Sequence, residues 1–141
     1  MTSTVVPLSF TRYRVLYGDT DAMGVVYHGN YFRLFELGRA EFLRERGLPY
    51  KQIEADGLML PVVEAYSHYF SSAQYDDLVL IETRLTKIHR ASLRFDYDIY
   101  RDDTKNERLL EGFTIHACVT SNKKVVRVPR DLADTLSIII D

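Results

Sequence analysis

Residues 17–31 read Y-G-D-T-D-A-M-G-V-V-Y-H-G-N-Y, two carboxylates, three glycines, a histidine and an asparagine between an apolar strand-like run and an amphipathic helix. Upstream, Phe10 to Tyr17 reads as a first strand. Downstream, Tyr31 to Arg46 reads as one long helix, because Leu34, Phe35, Gly38 and Phe42 recur at helical spacing and share a face. Asn30 stands at the N-cap position, and Gly47 followed by Pro49 is a stop signal. Gly38 inside the helix costs about 1 kcal/mol relative to alanine, which a close approach to another backbone would offset.

Past the helix the periodicity changes. Pro49 to Ala55 reads as a short second helix, and Val62 to Ser71 as a strand with Val63, Ala65 and Ser67 on one face. Asp76-Asp77 turns the chain into Leu78 to His89. Ser92 to Tyr100 alternates, with Leu93, Phe95, Tyr97 and Ile99 on one side and Arg94, Asp96 and Asp98 on the other, as in a half-buried antiparallel strand. Leu109 to Thr120 and Val125 to Val128 read as further strands, and Pro129 opens a final helix. Strands in a run with one segregated helix predict an α+β fold, a curved antiparallel sheet covered by the helix, and not a βαβ array. Edge strands favour a second copy as partner, and the apolar tail Ile138-Ile139-Ile140 is expected to pack either on such a partner or on its own sheet.

With 141 residues, the chain suits a single domain spanning positions 1–141. A net charge of −2 argues against nucleic acid as a partner. No apolar run approaches the roughly 20 residues of a membrane span, and M-T-S-T-V-V-P-L-S-F lacks the features of a signal peptide, so a cytoplasmic location is expected. The lone Cys118, in an apolar run, reads as a buried hydrophobe. No metal or redox cofactor is expected.

Asp19 and Asp21 admit a structural reading, since aspartates in turns bond their own backbone. Three chemistries compete with it. A calcium loop places Asp19, Asp21 and Gly24 correctly but puts Met23 and Asn30 where oxygen ligands belong. A phosphoryl-transfer D-x-D wants a doubly wound parallel sheet that this pattern lacks. Acyl transfer on a thioester fits best, because one carboxylate and one polarising site suffice for a good electrophile. At an ordinary pKa near 3.9, Asp21 is a weak general base, so it attacks directly or has its pKa raised by burial. Amides between Gly24 and His28 are candidates to hold the oxyanion, each donor being worth roughly 3–4 kcal/mol in related chemistry.

The loop from Gly18 to Tyr31 resembles the signature of the 4-hydroxybenzoyl-CoA thioesterase family of hotdog-fold enzymes. It is most similar to the broad acyl-CoA thioesterase branch associated with bacterial Tol–Pal gene clusters. Further matches are F-E-L-G-R-A-E-F-L (35–43), L-P-V-V-E-A (60–65) and S-S-A-Q-Y-D-D-L-V-L-I-E-T (71–83). The resemblance implies a hotdog fold, a long central helix wrapped by the sheet, with active sites at a dimer interface in a homodimer or homotetramer. It places Asp21 as the catalytic carboxylate, Asp19 as the non-nucleophilic acid two residues earlier, and a backbone N–H near His28 as the carbonyl-polarising donor. His28 replaces the tyrosine of the 4-hydroxybenzoyl enzyme, following the broader branch. Its imidazole either orients water or leaves the work to its backbone.

Substrate-binding candidates are Gly24, Val25, Tyr27 and Asn30 around the loop, with Arg90 and Ser92 at the nucleotide end of coenzyme A by family position. Lys123 and Lys124 are weaker candidates for that end. Glu36 matches the family's helix glutamate and is expected to be structural. His68 and His116, in strand-like runs, are expected to be ordinary core or face histidines. The substrate implied is an acyl-CoA, with coenzyme A part of the substrate and acyl carrier protein a second candidate carrier. A non-catalytic acyl-CoA binding module is the alternative.

Overall fold

The computed structural model describes residues 6–137. The Ile138–Ile140 tail lies outside them. The elements run β1 (Leu8–Arg14), α1 (Tyr31–Glu45), α2 (Tyr50–Ala55), β2 (Leu58–Met59), β3 (Val62–Tyr69), β4 (Leu78–Ile88), β5 (Ser92–Arg101), β6 (Arg108–Ala117), β7 (Val119–Thr120) and α3 (Arg130–Ser137). Five strands form one antiparallel sheet in the order β1-β4-β5-β6-β3, and β2 pairs with β7. α1 lies in the concave face of the larger sheet, which is the hotdog arrangement.

The predicted helix face is the buried one: Leu34, Phe35, Gly38 and Phe42 all point into the core. Phe35 stacks on Tyr97 with ring centroids 4.3 Å apart, and Phe42 meets Phe95 edge-on at 5.4 Å. Gly38 permits the close approach expected of it, although its neighbours are side chains of β4 and not backbone. A Cβ there would sit 2.8 Å from Ile81 Cγ2 and nearer still to Thr83 Oγ1. The alternation of β5 also holds, with Leu93, Phe95, Tyr97 and Ile99 buried.

Boundaries moved where tertiary contacts intervene. β1 ends at Arg14, short of the predicted Tyr17, because the chain turns at Tyr17–Asp19 and Leu16 N–H is taken by the Asp19 carboxylate. A bulge between Val62 and Glu64 leaves Val63 outside the β3–β6 register, while Ala65 and Ser67 pair with Thr114 and Gly112. The predicted strand Leu109–Thr120 is two strands. At Cys118, which is fully buried as expected, the chain leaves the large sheet and β7 pairs with β2. Val125–Val128 forms no strand; it makes a bridge from Val125 to Val119 and bonds from Val126 N–H to Cys118 O (2.9 Å) and from Val128 N–H to Arg90 O (2.8 Å). The register is spent on a turn at Lys123, whose φ is positive.

Candidate active site

The loop before α1 is organised by Asp19. This carboxylate is 4% exposed. Its Oδ2 accepts from Tyr13 OH (2.7 Å) and from Leu16 N–H (2.8 Å), and its Oδ1 pairs with Arg33 on the first turn of α1. Its carbonyl accepts from Tyr27 N–H (2.9 Å) and from Asn30 Nδ2 (2.9 Å). Asn30 does occupy the cap position, but its side chain serves this carbonyl and makes no capping bond to the helix. A second tether joins the loop to the 71–77 segment: Val26 N–H donates to Ala73 O (2.9 Å), and Ala73 N–H to the buried Tyr31 hydroxyl (3.0 Å).

Asp21 begins the exposed tip that this frame supports. Its Oδ1 accepts from Met23 N–H (2.8 Å), and its carbonyl from Gly24 N–H (3.0 Å). The turn needs a positive φ of 79° at Gly24, which glycine supplies without strain. Asp21 Oδ2 takes no hydrogen bond among the described residues. Of the amides from Gly24 to Gly29, those of Gly24, Val26 and Tyr27 are committed to carbonyls of the loop and its neighbours. Those of Val25, His28 and Gly29 have no acceptor among the described residues. His28 and Gly29 lie in the 3-10 turn that feeds α1, where the helix dipole favours negative charge. The exposed His28 ring packs beside Tyr27, and its carbonyl accepts from Tyr69 OH (2.9 Å), which fixes the turn to β3.

Arg90 and Ser92 are not brought to this loop within one chain. They sit in the β4–β5 hairpin, at the far end of β4 from Leu78, and an 11-residue strand spans roughly 30 Å. Arg90 there lines a cavity of about 890 Å³ with Arg127 and Arg130, two residues the sequence reading passed over.

A second cavity, of about 650 Å³, opens between α1 and the segment leading into β3. Leu37, Ala40, Leu43, Leu60 and Phe95 give it an apolar wall. Asp21 and His28 of the same chain do not line it. Glu36 is exposed at its rim. His116 is a core histidine, as expected, but it also lines this cavity. At 2% exposure its imidazole is pushed down to about 4, first by burial and then by the positive charge of Arg39, against a smaller opposing effect of its bond to Leu60.

The native state therefore holds His116 neutral, and the unfolded chain protonates first as pH falls. His116 contributes no penalty above about pH 6.5; between there and about pH 4 stability falls by an amount on the order of 3 kcal/mol. Urea midpoints across that range should drop more steeply for the wild type than for His116→Gln. Parallel curves would show that this group does not carry the acid sensitivity.

The partners of Asp19 were also missed. Tyr13 and Arg33 lie 6 and 14 residues away, and only the backward lean of side chains on a helix's first turn hints that Arg33 reaches the preceding loop. Among the described residues no cluster of His, Cys, Asp and Glu is arranged to hold a metal ion.

Residues 15–136 match the family model of the thioesterase-like superfamily. The chain belongs to that superfamily. Relatives that are acyl-CoA thioesterases make it a thioester hydrolase. The acyl-CoA thioesterase YbgC of Haemophilus influenzae is 34% identical over 84% of this chain and 87% of its own length. The DHNA-CoA thioesterase structure from Staphylococcus aureus superposes with a TM-score of 0.86 at 30% identity, covering 92% of this chain and 89% of that one. The 4-hydroxybenzoyl-CoA thioesterase of Pseudomonas sp. strain CBS-3 shares the fold, with a TM-score of 0.81 at 22% identity, covering 92% and 99% of the two chains.

Proposed function

We propose that this thioesterase hydrolyses acyl-CoA thioesters to a free acid and coenzyme A, with Asp21 as nucleophile or general base and the amides of His28 and Gly29 as the oxyanion site. The observation that carries the reading is the pairing of a carboxylate having one uncommitted oxygen with two uncommitted amides at a helix entrance, on a loop held by Asp19. The YbgC relative, an acyl-CoA thioesterase, supports the substrate class.

Two routes use the same groups. Asp21 Oδ2 attacks the carbonyl carbon, the oxyanion is held by the amides, the C–S bond breaks and the thiolate leaves; water then hydrolyses the mixed anhydride. Alternatively Asp21 takes a proton from water as that water attacks, the C–S bond breaks, and Asp21 passes the proton to the departing thiolate. Both return Asp21 to its carboxylate form.

A ligand that meets both Asp21 and Arg90 must cross between chains. Two-fold antiparallel pairing of the exposed β3 edges would set the Tyr69 end of one copy, with its His28 turn, against the Val62 end of the other. That end also carries β5's first residues, and hence Ser92 and Arg90. The working unit is then a homodimer or a larger assembly built on it. Acyl carrier protein presents the same phosphopantetheine arm and is a second candidate carrier. Both carriers suit a cytoplasmic location.

Thiol release from short, long and aromatic acyl-CoAs tests the reading directly. Release from at least one class is expected. Binding without release from any of them would mark a non-catalytic acyl-CoA module instead.

A further inference from the structure

The cavity beside α1 contains a cation with no counterion. Arg39, half-buried, forms no ion pair among the described residues, whereas Arg33, six residues earlier on α1, is engaged by Asp19. Its one hydrogen bond runs inward: Nη1 donates to the hydroxyl of Tyr97 (3.3 Å), which is fully buried. From there the donors run in one direction. Leu60 O can only accept, so His116 Nδ1 carries the proton and donates to it (2.9 Å). Nε2 then accepts from the Thr114 hydroxyl (2.8 Å), and Thr114 Oγ1 accepts from Tyr97 OH (2.6 Å).

This chain has two consequences. It anchors the guanidinium against the cavity's inner wall at the cost of a single N–H. It also consumes the acceptors nearby, so the remaining N–H groups of Arg39 face the cavity without a protein acceptor among the described residues. A charge taken partly out of water calls for a partner. Among the described residues no carboxylate pairs with Arg39: the apolar part of the wall is Leu37, Ala40, Leu43, Leu60 and Phe95, and the one carboxylate lining the cavity, Glu36, is exposed at the rim. An apolar sleeve ending on an unpartnered guanidinium matches an apolar chain that ends in an anion. A planar fork of donors favours a carboxylate over a hydroxyl.

We propose that this cavity receives the acyl group and that Arg39 selects acyl groups ending in a carboxylate, the monothioesters of dicarboxylic acids. The inference rests on the thioesterase reading above and makes Arg39 a specificity-determining residue. In the β3-paired dimer the Val62 end of one copy, where this cavity opens, faces the Asp21 loop of the other. The acyl pocket and the reacting carboxylate then come from different chains.

The test uses matched CoA thioesters, each a saturated acyl group with and without a terminal carboxylate, at short and medium chain length. The readout is the ratio of kcat/KM within a pair. For the wild type the carboxylate-tipped member is expected to lead at some chain length by about ten- to a hundredfold, the range of a charge-assisted hydrogen bond. Arg39→Met should collapse that ratio toward one or invert it, and Arg39→Lys should restore part of it. A wild-type preference for the plain acyl group at every length overturns the proposal. So does a ratio that Arg39→Met leaves intact while both rates fall, which is the mark of a structural arginine. Hydrolysis of no thioester at all removes the parent reading and this inference with it.

Discussion

Asp21→Asn is expected to lower kcat on the best acyl-CoA by about 10²–10⁴-fold, the usual contribution of a positioned acid–base or nucleophilic group. The substitution is isosteric, and an amide oxygen still accepts from Met23 N–H as Asp21 Oδ1 does. The loop turn, set by the bond from Gly24 N–H to Asp21 O and by the positive φ of Gly24, uses no charge on the side chain. The thermal midpoint should therefore stay near that of the wild type, and acyl-CoA binding should persist. Turnover close to the wild-type rate would reject Asp21 as the reacting carboxylate, whichever of the two routes is favoured.

Asp19→Ala should do the opposite, costing stability first and activity as a consequence. Removal of the carboxylate orphans Leu16 N–H and Tyr13 OH, and leaves Arg33 without its anion. The loss is about 2–4 kcal/mol, nearly all from the two part-buried hydrogen bonds to Tyr13 and Leu16, because Arg33 is half exposed and water screens its pairing. A chain of this length should melt roughly 7–14 °C lower. Asp19→Asn, which keeps an acceptor but not the charge, should fall between. Calorimetry on the three proteins decides the matter, and an unchanged midpoint for Asp19→Ala would show that the loop is held by other contacts. Together the two aspartates separate by measurement what the D-x-D spacing left open: which one shapes the loop and which one reacts on it.

How far the sequence reached can be judged element by element. α1 and β5 were legible because each carries a full period of its own: the helical stripe Leu34, Phe35, Gly38, Phe42 and the alternation Leu93 to Ile99 are both buried as read. Gly38 announced a close approach before its neighbour was known, and β4 proved to be that neighbour. The break at Cys118 was not legible. Leu109 to Thr120 is apolar and strand-forming throughout, and only the position of β2 and of Ala91, whose carbonyl takes the Cys118 N–H (2.9 Å), decides where pairing with the large sheet ends. The bulge at Val63 is likewise a matter of register against β6.

The site divides along the same line. That residues 17–31 form a glycine-bearing loop with carboxylates ahead of a helix follows from local chemistry: turn-forming residues, a cap position and the start of a 3.6-residue period are properties of neighbours in the chain. Which of its amides remain uncommitted, that Arg33 returns to Asp19, and that Arg39, Tyr97, Thr114 and His116 form one hydrogen-bonded line all depend on partners up to 58 residues apart. Short-range periodicity carries no information about such pairs. They exist only once the sheet has curled around α1 and excluded water, and that closure turns an ordinary arginine and an ordinary histidine into the polar floor of an apolar cavity.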